Sequence, residues 1–546
     1  MTANHYSAKP WLRLFPEGQP HDHQARFGDM LAAFRAAVAD AADRTAIRFS
    51  GSGISFGALD AKSDRLAGWA AAHGVKPGDR IAIILQNVPA AAIATVAAWK
   101  LGAIPVPGNP MYRAAEIARQ FGDSRPALLI CHEGHAATIG EALAIIGDGG
   151  RPVLTVPEDG GPGDAALPGS LAAALAEELV PPPSPAIAPD DLGLLLYTSG
   201  TTGVPKAAMI RHESLAWNSE AMSLWYGIDG DARILGVAPM FHITGFVMHL
   251  ALSIAARATL ILFGRFDPAR ALATIRAERP TWTVGAITAY NALAGLGEVT
   301  REDFASFRRM DSGGAPIAPA LRATIADTIG HAVYAAYGMT ETASVTHSCP
   351  VGVEVPVDPA SGAFSVGIPF IGTEAMVADE AGRPVPVGET GEIWMRGRQI
   401  MAGYWNKPEE TAATLTDGWM RSGDVGFMDE QGWFYVVDRK KDCIIASGFK
   451  VWPREVEDAL HTHPAVREAA VVGAPDAYRG ETVVAHVSLR PGAAADEAAL
   501  IAHCRDQLAA YKVPRAIRIA AELPKTATGK IQRNVLREAE QSAAAA

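Results

Sequence analysis

The sequence predicts an α/β protein: a large N-terminal body of α/β layers with a β-rich subdomain, followed by a small mobile α+β C-terminal domain. Three observations carry this expectation. Residues 26–125 alternate Ala-rich helical stretches with short β-branched runs, the pattern of buried strands set between helices. From about residue 365 the texture changes to short alternating runs between Gly and Pro turns. After Asp438 comes a compact run of strands and helices, long enough for a separate domain. At roughly 100–200 residues per domain, 546 residues hold several such units.

Arg80–Leu85 and Ala103–Pro107 read as the first buried strands, and the apolar run Ala127–Ile130 as another. A Gly/Pro loop at 157–169 and a proline-rich break at 180–191 follow; the latter must be extended. The break runs into Leu192–Leu196, a short apolar strand. The middle repeats the layout: strand-like Ile234–Ala238, helical Phe246–Ala256, strand-like Thr259–Phe263, and a helix from Asp267 to Arg279. Segment 372–397 carries the β-rich texture, and 469–476 and 483–492 are strands of the last domain. The expected division is 1–437, with its β-rich subdomain at about 365–437, and 438–546.

Composition excludes several classes. Hydrophobic residues at 49% and charged ones at 20% rule out a mainly disordered chain. The net charge of −11 argues against nucleic acid or a membrane surface as the main partner. Cys131, Cys349, Cys443 and Cys504 are scattered, which fits a reducing compartment better than a disulfide framework. The N-terminal residues lack a signal-peptide core. The most membrane-like stretch, Phe246–Phe263, contains His249 and Arg257 and reads as buried core. A cytoplasmic protein with no transmembrane segment is expected.

The strongest chemical signal is YTSGTTGVPK, Tyr197–Lys206. Hydroxyls interleaved with Gly200 and Gly203 make a donor-rich loop whose backbone N–H groups can cradle an anion, with Lys206 adding positive charge. It is not a Walker loop, because Pro205 stands where that pattern requires its second glycine. Other candidates fail on spacing. His132-Glu133-Gly134-His135 is one residue short of the zincin motif and Cys131 completes no zinc set. His461 and His463 have no nearby partners in sequence, and Tyr197 excludes a Gly-x-Ser-x-Gly elbow around Ser199.

Six further blocks follow in order: PMFHITG (239–245), SGGAPI (312–317), YGMTE (337–341), RSGDVG (421–426), DRKKDCIIASGFKV (438–451) and PKTATGKIQR (524–533). With them, nearly the whole chain resembles the adenylate-forming superfamily of acyl-CoA synthetases, luciferases and carrier-loading adenylation domains.

The resemblance implies ATP, a carboxylic acid and coenzyme A as substrates and Mg²⁺ as cofactor. It also implies roles for residues. Thr198, Ser199, Gly200, Thr201, Thr202, Gly203 and Lys206 would form the phosphate cradle. Within the segment Tyr337, Gly338, Met339, Thr340 and Glu341, the threonine would donate to the α-phosphate and Glu341 would help hold Mg²⁺. Gly313, Gly314, Ala315 and Pro316 would let the backbone approach adenine, with Tyr337 on its other side. Asp424, in a tight turn, would accept from the ribose hydroxyls, and Arg439 would make a second ribose or phosphate contact. Lys530, on a small mobile loop, would be the catalytic lysine. Lys441 would be the hinge whose rotation exchanges Lys530 for the face bearing Gly448 and Lys450, the passage for coenzyme A. His242 would gate or orient the carboxylate, and Gly285, Ala286 and Gly313 would leave room for the acyl group.

PMFHITG has no acid to pair a substrate ammonium, so an amino acid is not expected. The chain ends soon after Lys530, so no fused carrier domain is expected, and its C-terminus is not Ser-Lys-Leu. The expected function is an ATP-dependent acyl-CoA synthetase acting on a medium- or long-chain fatty acid. The alternatives are an aryl-acid CoA ligase, an acyl-AMP ligase serving a separate carrier protein, or a non-catalytic nucleotide-binding relative. The resemblance leaves a homodimer open.

Overall fold

The computed structural model describes residues 5–545 apart from 199–204, 316, 360–362, 440–441, 447–448, 477–479 and 527–528; the side chains of Arg439, Lys450 and 544–545 also lie outside the description. The body contains a nine-stranded sheet. Its central six strands are parallel, in the order Val333–Met339, Arg309–Gly313, Trp282–Gly285, Arg233–Leu235, Thr259–Leu262, Thr45–Phe49. Antiparallel strands close both edges. A second, all-parallel sheet joins Ile104–Pro107, Arg80–Ile84, Leu128–His132 and Val153–Val156.

The helix Pro89–Lys100 is buried at every position. Its sequence PAAAIATVAAWK is apolar all round, which suits a helix packed on all sides rather than one face. Lys100 ends it without solvent because Asp60 and Asp64 each stand 2.6 Å from its ammonium. Trp99 donates to the Gly193 carbonyl, fixing this helix to the strand that leads into the hydroxyl-rich loop. The predicted helix at 267–279 is observed as Pro268–Glu278, started by Asp267 accepting from the Arg270 N–H.

Phe246–Ala251 forms a π-helical turn that passes into α-helix Leu252–Ala256, and every one of these residues is buried. Among the described residues no helix is long and apolar enough to cross a membrane. The β-rich part is an antiparallel sheet built from Glu374–Ala378, Gly391–Arg396, Leu415–Thr416, Trp419–Met428 and Phe434–Arg439. The last unit places Ile444–Ala446, Phe449–Val451, Val466–Asp476, Gly480–Leu489 and Ala516–Ala520 in one sheet. Its apolar core, from Ile444 to Ile517, is separate from the main core of the body.

Leu192–Thr198 departs from the parallel layers around it. It pairs antiparallel with Lys206–Arg211, with Tyr197 opposite Ala207 and Thr198 opposite Lys206. The hydroxyl-rich loop is therefore the end of a hairpin, so its two ends are held across one strand spacing.

Candidate active site

Four adjacent parallel strands end on one side of the large sheet, and the sequence blocks follow them. Gly236–His242 follows Arg233–Leu235, Ala286 follows Trp282–Gly285, Gly314 and Ala315 follow Arg309–Gly313, and Thr340–Glu341 follows Val333–Met339. Carboxyl ends of parallel strands are where open α/β sheets bind ligands. Backbone amides and loops gather there, and no side chain from the strand itself needs to leave the core.

Thr340 and Glu341 are buried in a short 3₁₀ turn. Glu341 is held twice by one segment: its carbonyl accepts from Met401 N–H at 2.8 Å, and Oε1 accepts from the Tyr404 hydroxyl at 2.6 Å. Burial and this carboxylate push the Tyr404 hydroxyl well above the usual phenol range, so it stays protonated and donates. Lys206 Nζ lies 4.9 Å from the Tyr404 ring centroid, on the negative face of the ring. Tyr404 pairs with Ala208 in the strand that Lys206 begins. One tyrosine thus joins the lysine of the first block to the glutamate of the fourth. Nothing in the sequence singled it out.

Tyr337 donates to Asp424 Oδ2 at 2.8 Å, and its ring meets His347 edge-on at 5.4 Å. Asp424 was expected in a tight turn; it lies instead inside the strand Trp419–Met428. Three residues there bulge opposite Ile393, with Gly423 at φ 72°. The bulge re-aims the carboxylate without ending the strand. Arg439 is the residue directly opposite Asp424 on the next strand.

The glycines divide by cause. A Cβ on Gly338 would collide with the Ser344 carbonyl, and one on Gly313 would lie 2.9 Å from the Ala336 carbonyl, so both serve neighbouring backbone. Gly314 has φ 82° and open space around its missing Cβ, which fits close approach of a ligand. The space left by Gly285 is taken by Val237, whose Cγ1 would stand 2.7 Å from a Cβ there.

His242 is half-buried and precedes the turn Ile243–Gly245, its Nδ1 accepting from Thr244 N–H at 3.3 Å. Burial, and then the charge of Lys530, bring its pKa down to about 4. A neutral ring that accepts at Nδ1 carries its proton on Nε2. Lys530 was expected on a small mobile loop; around it Lys525 bridges Ile531, Thr526 N–H donates to the Lys530 carbonyl at 2.7 Å, and Lys530 N–H donates to Thr526 Oγ1 at 3.2 Å. The turn reaches the body, where the Thr288 hydroxyl donates to the Gly529 carbonyl at 3.3 Å.

Ser199, Gly200, Thr201, Thr202, Gly203, Pro316, Lys441 and Gly448 lie outside the described residues, as do the side chains of Arg439 and Lys450. Beside Gly448 the C-terminal sheet turns Ile445 and Phe449 to solvent, and the Phe449 ring stacks on Tyr511 at 4.8 Å. Sequence reading also passed over Arg533, which lies 3.5 Å from Asp438 and 2.5 Å from Glu457. His463 has a neighbour after all, the His503 ring at 5.0 Å, but no group of three or more His, Cys, Asp or Glu suited to a metal occurs among the described residues.

The AMP-binding enzyme family matches residues 34–405, and the AMP-binding enzyme C-terminal domain matches residues 455–530. A long-chain-fatty-acid–CoA ligase of Bacillus subtilis (strain 168) is 36% identical, covering 98% of both chains. A feruloyl-CoA synthase of an Amycolatopsis species is 38% identical over 90% of this chain and 95% of its own. ATP-bound MatB from Rhodopseudomonas palustris superposes with a TM-score of 0.84 at 32% identity, covering 94% of this chain and 98% of that one; its apo form scores 0.73. The chain therefore belongs to the AMP-binding enzyme family, in the acyl-CoA synthetase branch of the adenylate-forming enzymes.

Proposed function

We propose that this enzyme activates a medium- or long-chain fatty acid to its acyl-AMP with release of pyrophosphate, and then passes the acyl group to coenzyme A. The observation that carries the proposal is the seating of the Lys530 turn at the strand ends, close enough to His242 for its charge to depress that ring's pKa.

A carboxylate resists substitution because the leaving group would be oxide; joining it to AMP supplies a phosphate leaving group instead. The carboxylate oxygen attacks the α-phosphorus, the bond to the bridging oxygen breaks, and pyrophosphate departs. The enzyme's task is alignment and charge. The neutral His242 offers its Nε2–H to the carboxylate and turns it toward phosphorus. Lys530 and the Thr340 hydroxyl offset charge on the α-phosphate and acyl oxygens as it builds. Thr198 and Lys206, with the loop between them, take the triphosphate. Asp424, oriented by Tyr337, accepts from ribose, with Arg439 beside it, and Gly314 and Ala315 line adenine.

Glu341 fits Mg²⁺: it is a buried carboxylate whose Oε1 is already fixed by Tyr404, and oxygen donors suit a hard cation that completes its shell with phosphates and water. When bound, that ion would neutralise phosphate charge. For the second step we place the division near Asp438, at the end of strand Phe434–Arg439, with Lys441 as hinge. Rotation would withdraw Lys530 and bring in the face where Ile445 and Phe449 are exposed, with Gly448 and Lys450 as the expected passage for the pantetheine arm. A cytoplasmic location fits the free thiols of Cys131, Cys349, Cys443 and Cys504.

The filling of Gly285's space by Val237 favours a second reading, a flat aryl acid, as does the feruloyl-CoA synthase likeness. The test is pyrophosphate release with ATP and Mg²⁺ across fatty acids of graded length and hydroxycinnamic acids. Coenzyme A and a phosphopantetheinylated carrier protein are then compared as acceptors. Fatty acids with coenzyme A should turn over fastest. A preference for aryl acids would replace the first reading by the second, and no pyrophosphate from any acid would overturn both.

A further inference from the structure

A lysine on a separate domain can act on a substrate held by the body only if its turn comes to rest in the same place at every closure. Internal hydrogen bonds shape the Lys530 turn but do not say where it lands. One contact does. Thr288 Oγ1 donates to the Gly529 carbonyl at 3.3 Å, between residues 241 apart in sequence. Gly529 stands at φ 80°, and a Cβ there would lie 2.6 Å from Thr288 Oγ1 and 4.0 Å from the Ala286 Cβ. The turn therefore meets the body through bare backbone, at a point too close for any side chain.

Thr288 is well placed for this. It sits in the first turn of helix Ile287–Ala294, three residues beyond the end of strand Trp282–Gly285. Its backbone is thus fixed by the central sheet, and β-branching restricts the direction of its hydroxyl.

We propose that Thr288 is a positioning residue for the first half-reaction: its hydroxyl receives the Gly529 carbonyl and so sets where the Lys530 ammonium stops. This inference rests on the reading of Lys530 as the adenylation lysine. It touches no substrate atom in that role. Its effect belongs in the rate of acyl-AMP formation, not in acid or ATP binding, and it disappears once the domain has rotated.

The experiment compares Thr288→Val, Thr288→Ser, Gly529→Ala and Lys530→Ala in two assays: acyl-AMP formation, followed as pyrophosphate release, and thioesterification of supplied acyl-AMP. Loss of one hydrogen bond corresponds to about five- to tenfold. Thr288→Val should lower kcat of acyl-AMP formation by that factor, with KM for acid and ATP unchanged and thioesterification within about twofold. Thr288→Ser should recover most of the rate, and Gly529→Ala should reproduce the Thr288→Val loss or exceed it. Equal loss in both half-reactions, no loss in either, or a changed KM for the acid would each overturn the role of Thr288. If Lys530→Ala itself fails to separate the half-reactions, the assignment of Lys530 falls and this inference with it. If Lys530→Ala separates them and Thr288→Val does not, only the inference falls.

Discussion

Glu341 and the turn that carries Lys530 each meet a neighbour that no sequence block contains. Tyr404 holds the glutamate at 2.6 Å and presents its ring to Lys206. Hydrogen bonds to charged groups are stronger than neutral ones. Tyr404→Phe should therefore lower acyl-AMP formation by about tenfold and raise the Mg²⁺ concentration giving half-maximal rate; a magnesium titration of pyrophosphate release measures both, and unchanged values would refute the coupling. Lys530→Ala should reduce acyl-AMP formation by about 10²–10³ while sparing thioesterification of supplied acyl-AMP. Equal loss of both would remove Lys530 from the first step. Asp424 shows how residue and setting interact. Its acidity and the preceding Ser-Gly are visible in sequence, but a bulge within a strand supplies the same sharp change of direction as a turn.

At the scale of elements, periodicity identifies most helices and buried strands, and the local cap residue fixes the start at Pro268. It does not tell a parallel neighbour from an antiparallel one. Leu192–Thr198 is as apolar as the parallel strands, yet it belongs to a hairpin, because only seven residues separate it from Lys206–Arg211, too few for a crossover connection. The two cores divide where the chain leaves Phe434–Arg439 for Ile444–Ala446. Arg533 stands across this division, contacting Asp438 on one side and Glu457 on the other. A hinge at Lys441 needs free backbone rotation, which proline removes. Lys441→Pro should slow thioesterification about tenfold more than acyl-AMP formation. Single-turnover assays of the two steps check this, and unchanged overall turnover would refute the rotation.

Across the whole molecule, burial keeps several histidines neutral. His212, His242 and His249 are brought down to about 4 and His347 to about 3, with burial the first cause in each. The unfolded chain binds protons at these sites near pH 6.5, so between about pH 6.5 and 4 it holds more protons than the folded protein. Their contribution to stability is complete above 6.5 and is lost as pH falls toward 4. Asp458, raised to about 6 by burial, runs the other way, but the histidines outnumber it. The thermal midpoint should hold level above pH 6.5 and drop by roughly 10 °C by pH 5; a flat profile would contradict the neutral, buried assignments. The net charge of −11 coexists with a site that draws Lys206 and Lys530 inward. Net charge describes the surface, and the site runs against it.

The sequence by itself determined the α/β class, the late β-rich texture and the order of the chemical blocks. These depend on local periodicity, on glycine and proline, and on contiguous side chains, all written within a few residues of one another. Only the tertiary structure decided which glycines serve backbone packing, that Tyr404 reaches Glu341 across 63 residues, and that Thr288 receives Gly529 across 241. Such contacts leave no local pattern, because a tyrosine or threonine near a strand or helix end satisfies local propensity equally well wherever it points. Their meaning comes from the sheet, which sets the carboxyl ends of distant strands side by side.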